Sequence, residues 1–93
     1  MSARGDWLIY GKSGSSDATS GAVNDAIRDW LLRHEVAEVA LEPLDGYYAI
    51  HINDDPKPVP GVFLPASLLN DPAAVGDILE AAYSIWEREL AAH

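Results

Sequence analysis

The chain has 93 residues, no cysteine, and 15 acidic residues against six basic ones, for a net charge of −9. That length supports one domain, and the missing thiols exclude disulfides, cysteine-ligated zinc, iron–sulfur clusters and a thiol nucleophile. A field of this sign repels nucleic acid and anionic membranes and steers basic partners inward.

The charge is uneven. Residues 1–34 balance four acids (Asp6, Asp17, Asp25, Asp29) with four bases (Arg4, Lys12, Arg28, Arg33), so residues 35–93 carry the whole excess. The apolar fraction is 48%, 14 residues of it alanine, which still leaves enough large side chains for one modest core. Met1–Asp6 lacks the apolar stretch of a signal peptide and no 18-residue apolar run exists, so a soluble cytoplasmic protein is the expectation. Arg4-Gly5-Asp6 spells an adhesion tripeptide, too short to carry a function alone.

Trp7-Leu8-Ile9-Tyr10, closed by Gly11, reads as a buried first strand, and residues 11–21 as a Gly/Ser-rich connection. From Val23 the period becomes helical: Val23, Ala26, Ile27, Trp30, Leu31 and His34 share one face. Asp25 with Arg28 and Asp29 with Arg33 have the spacing and order that support a helix. Asp17, Thr19 and Ser20 are all candidate caps for its start.

Two alternating runs follow, 37–42 and 47–53, separated by a turn that contains Asp45-Gly46, a strong hairpin signal. With Asp45-Gly46 at the tip, Leu44 pairs with Tyr47, Leu41 with Ile50 and Val39 with Ile52. The large aliphatics then share a face that a one-residue slip would destroy. Residues 53–61 hold three prolines and read as a stiff connection, and Val62-Phe63-Leu64 as a short edge strand. Asn70-Asp71-Pro72 reads as a cap followed by proline at the first helical position. The last helix runs to about residue 91, with Val75, Ile78, Leu79, Ala82, Tyr83, Trp86 and Leu90 inward and Asp77, Glu80, Ser84, Glu87 and Arg88 outward. The order β-α-β-β-(β)-α predicts an α+β two-layer sandwich, an antiparallel sheet of three to four strands with two helices on one face.

Candidate chemistry is sparse. Gly11-Lys12-Ser13 invites comparison with a phosphate-binding loop, but the glycine required five residues before the Gly-Lys pair is Asp6, and the signature fails. What is left is a connection, or at most a loose anion site of Lys12 and helix amides. In the hairpin register His51 pairs with Ala40 and lies diagonal to Glu38 and Glu42, a set that suits a divalent metal or a pH-sensitive pair. Without a second histidine, ordinary solvated surface charge is the simpler reading. Asn53-Asp54-Asp55 lacks the spacing, glycine and closing glutamate of a calcium loop. His34 ends a helix, where a cation suits the dipole, and no Ser-His-Asp order or nucleophile elbow occurs.

The stretch 35–55 holds six acids and no lysine or arginine. Its outer face would display aromatic residues among acids, as a surface for a basic protein does. Glu38, Glu42, Tyr47, His51, Asp54 and Asp55 are the candidate partner-binding residues. The acidic stripe of the last helix would face the other way, which counts against a DNA mimic with acids along one ridge. The expectation is a small acidic non-enzymatic inhibitor or adaptor, without cofactor or metal, docking on a basic protein surface. A nucleic-acid-processing partner would fit, as for an anti-defence (anti-CRISPR-like), DNA-mimic or immunity protein, with no direct contact to nucleic acid or membrane. The alternatives are a homodimer or other homo-oligomer subunit, and a metal- or ligand-binding enzyme at the His51 cluster.

Overall fold

A computed structural model describes residues 6–11, 18–53 and 55–92. The elements are β1 (Leu8–Gly11), α1 (Gly21–Arg33), β2 (Glu38–Pro43), β3 (Tyr47–Ile52), β4 (Phe63–Pro65), a 3-10 turn at Ala66–Leu68, and α2 (Pro72–Ala91). One antiparallel four-stranded sheet runs β1-β2-β3-β4 in sequence order, and both helices pack on one face. This is the α+β sandwich that the alternation predicts.

The hairpin register follows from the apolar pattern. Val39 pairs with Ile52, Ala40 with His51 and Leu41 with Ile50, and the Leu44 amide donates to the Tyr47 carbonyl across the tip at 2.8 Å. Gly46 sits at φ 85°, a conformation a side chain would strain. β1 adds Leu8 and Tyr10 opposite Leu41 and Val39, and β4 adds Leu64 opposite Tyr48. Tyr10, Val39, Leu41, Ile50, Ile52 and Leu64 therefore line the helix-facing side and pack with Val23, Ile27 and Trp30 of α1 and Val75, Leu79 and Ala82 of α2. Burying each large side chain contributes roughly 1.5–3 kcal/mol.

The helix ends are specified locally. Ser20 caps α1, its hydroxyl accepting from the Val23 amide, while its own amide donates to Asn70 Oδ1 at 2.8 Å and ties the two helix starts together. Thr19, another candidate cap, is buried instead between the Tyr10 hydroxyl, 2.9 Å away, and the Asn24 carboxamide. Asp17 lies outside the described residues, as do Lys12 and the rest of the 12–17 connection. α1 ends in a Schellman arrangement. The Val36 amide donates to Leu31 O (2.9 Å) and that of Glu35 to Leu32 O, with Glu35 in the left-handed region at φ 53°. Asp71 caps α2 through the Ala73 and Ala74 amides, with Pro72 at the first position.

Two side chains of α2 depart from the sequence expectation. Leu90, assigned inward, is 54% exposed and lines an open cleft opposite Pro58–Pro60 instead of the core. Glu80, assigned outward, is half-buried and reaches α1, where it takes hydrogen bonds from Arg33 and from His34 Nε2 (2.9 Å). His34 is stacked on Tyr83 at 4.2 Å between ring centroids, so it belongs to the helix–helix contact as much as to the helix end.

Candidate functional site

The sheet face turned away from the helices is set by the same registers. Ile9, Ala40 and His51 form one row across it, and Glu42, Ala49 and Phe63 the next, with Tyr47 and Pro65 beyond. Strand periodicity of two dictates this: each residue between two core aliphatics points outward.

Four of the six candidate residues lie on this side, Glu42 and His51 in contact, Glu38 toward the open end of the hairpin and Tyr47 at its tip. Glu38 and Glu42 are half-buried, and Tyr47 is 38% exposed. His51 departs from the expectation of a solvated surface charge: it is 1% exposed. Its Nε2 lies 2.8 Å from Glu42 Oε1 and its Nδ1 2.9 Å from the Asp55 carbonyl. The Trp7 ring stacks over it at 4.5 Å, the planes inclined by 28°. The expected solvation fails because Ala40 and Ala49 beside it are too small to hold the Trp7 indole off, and the indole closes down over the imidazole. His51 is therefore a support beneath the face rather than a contact on it. Asp55 joins through its backbone, while its carboxylate accepts from the Lys57 amide at 3.0 Å. Asp54 lies outside the described residues.

Two members of the face escaped the sequence reading. The apolar run places Trp7 only in the buried strand, whereas the structure lays its ring over His51. The sequence places Phe63 in an edge strand without fixing its side. It is 46% exposed and meets Tyr47 edge to face, centroids 5.0 Å apart. The structure decides its side: Leu64 is buried against the helices, so a strand period of two turns Phe63 outward.

The Asn53-Asp54-Asp55 run has a structural use. Asn53 stands at φ 53°, a conformation asparagine tolerates, and its Oδ1 accepts from the Ala37 amide at 2.8 Å, latching the end of β3 to the start of β2. Among the described residues no three histidine or carboxylate side chains gather as a metal site, and no helix is long and apolar enough to cross a membrane. No protein-family model, curated protein or solved structure matches this chain.

Proposed function

We propose that this protein is a small acidic, non-enzymatic binding protein that presents the outer sheet face to a basic surface of a protein partner, as an inhibitor or adaptor. The observation that carries the reading is the exposed Tyr47–Phe63 pair standing beside Glu42 on a rigid sheet, in a chain of net charge −9. Aromatic residues with few rotatable bonds are efficient anchors for a partner, and the acids around them supply steering and orientation more than affinity. A nucleic-acid-processing protein is the partner class that most often offers a basic surface of this kind.

The test is affinity capture from the native host with the wild-type chain and with variants of each face. Supporting results are a basic protein retained at low salt, released as ionic strength rises, and lost from the Y47A/F63A double variant or from Glu38→Lys. An Asp77→Lys control on the outer side of α2 retains it. Equal capture by the wild-type and the face variants overturns the reading. So does light scattering that finds a dimer which Y47A/F63A dissociates, because the face would then belong to a second copy.

A further inference from the structure

A recessed feature lies around the sheet margin from the aromatic face. After β3 the chain turns through Asp55 and runs back along the strand, with the Val59 amide donating to Ile50 O at 2.8 Å. This fixes Pro58, Val59 and Pro60 opposite the last turns of α2. Between them is an open cleft of about 280 Å³, lined by Asp55, Lys57, Pro58, Val59, Pro60, Trp86, Glu89 and Leu90. Small-molecule sites start at roughly this size, so the cleft suits a single long side chain better than a cofactor.

Its chemistry is that of a cation receptor with an apolar wall. Pro58, Val59, Pro60, Trp86 and Leu90 provide the wall, and Asp55 and Glu89 outnumber Lys57 at the rim. The Asp55 carboxylate is held in place by the Lys57 amide. The cleft also sits at the carbonyl end of the 20-residue helix α2, which carries partial negative charge. A long cationic side chain matches all three conditions: its methylene stem lies against the apolar wall and its head meets the carboxylates. Arginine fits better than lysine, because a planar guanidinium stacks on an indole and addresses carboxylates with a fixed fork of donors.

We propose that this cleft receives an arginine side chain of the basic partner, a second contact point beside the Tyr47–Phe63 face. The inference rests on the reading of the protein as a binder of basic surfaces, and it assigns that partner an arginine placed to reach round the sheet margin.

The test uses short peptides on the full chain, independently of any captured partner. Acetyl-Gly-Arg-Gly-amide is titrated while the indole N–H signals of Trp7, Trp30 and Trp86 are followed by NMR. The expected result is a saturable shift of the Trp86 signal with a Kd in the millimolar range, appropriate to one side chain. Glu89→Gln, an exposed substitution that leaves folding intact, should weaken it about threefold or more. The Val59 methyl groups, which line the cleft and are followed in the same titration, should shift with Trp86 and lose that shift in Trp86→Leu, and Y47A/F63A should leave the Trp86 shift unchanged. The proposal is overturned if the same peptide with citrulline, isosteric and uncharged, in place of arginine shifts Trp86 equally, or if no saturable shift appears. It is also overturned if the shifts centre on Tyr47 and Phe63. Capture of a basic partner through Tyr47 and Phe63 with a silent cleft would remove this inference alone. Arginine binding at Trp86 in a chain that captures no basic partner would remove the broader reading and, with it, the assignment of that arginine to a protein partner. Only the cleft's selectivity for a guanidinium would then be left.

Discussion

His51 faces two oxygen atoms at once: Glu42 Oε1 at 2.8 Å from Nε2 and the Asp55 carbonyl at 2.9 Å from Nδ1. A backbone carbonyl only accepts, so Nδ1 donates to Asp55 while Nε2 meets the Glu42 carboxyl group. The pair spans β2 and β3 and, through Asp55, the loop that follows them, so it joins three segments at a buried point.

Removing one partner at such a point leaves the other without a match. Glu42→Ala should cost about 1–3 kcal/mol of stability, because the buried imidazole nitrogen loses its partner. Glu42→Gln should recover most of that, since an amide can donate to Nε2 while Nδ1 keeps its proton for Asp55. Denaturant midpoints of the two variants check this. If alanine and glutamine both match the wild type, the pair has no role in stability.

The acid limb of stability should depend on Glu80. Burial pushes its carboxyl up, but hydrogen bonds from Arg33 and His34, and the charges behind them, outweigh burial and hold it below its ordinary value of 4.5. The hydrogen bond from Arg33 to Glu80 likewise raises the guanidinium above its ordinary value. A carboxyl lowered in the folded state releases its proton more readily there than in the unfolded chain. Its contribution is therefore complete above about pH 4.5 and is lost as the pH falls through the lower folded value. Glu80→Gln should be less stable than wild type near neutrality, and the gap should close toward pH 3. Because both side chains are partly exposed, the effect should also shrink in high salt. Melting curves across pH 3–7 measure it, and a gap that stays constant with pH would assign the loss to packing.

The hairpin register was legible because the evidence for it is two-sided: the Asp45-Gly46 tip and the aliphatic pattern independently select the same pairing. The far face was not legible to the same degree. A period of two places His51 outward, but burial there depends on whether a neighbour folds over it, and Trp7 arrives from outside the hairpin. The same limit affected α2. A helical period sorts Glu80 and Leu90 by angle, whereas their surroundings depend on where α1 ends and on the loop at residues 55–60 that faces the last turns of α2. The left-handed turn at Glu35 carried no glycine to announce it.

That turn offers a stabilising substitution. Glu35 holds φ 53° at the position after the α1 cap, where glycine is the usual occupant. The left-handed conformation costs a side-chain-bearing residue about 1–2 kcal/mol. Glycine offsets part of this gain by its larger unfolded-state entropy. Glu35→Gly should therefore stabilise by about 0.5–1 kcal/mol, with a further small gain from removing a negative charge at the negative end of the helix. A higher urea midpoint with an unchanged slope is the expected reading.

The two helix caps should differ in worth, in an order set by their geometry. Ser20 offers one hydroxyl to one amide, Val23 N–H, at 3.3 Å. Asp71 offers a carboxylate oxygen to two amides, Ala73 at 3.1 Å and Ala74 at 3.2 Å, and adds a negative charge where the helix dipole is positive. Asp71→Ala should cost about 1–2 kcal/mol and Ser20→Ala about 0.5–1 kcal/mol. In a domain of this size about 1 kcal/mol corresponds to a fall in Tm of roughly 4–8 °C. Asp71→Asn should fall between wild type and alanine, keeping the acceptor but not the charge. Its deficit should narrow as salt screens the dipole interaction, while the alanine deficit persists. If Ser20→Ala proves as damaging as Asp71→Ala, the tie from the Ser20 amide to Asn70 is the greater part of its contribution, and Asn70→Ala should then reproduce the loss.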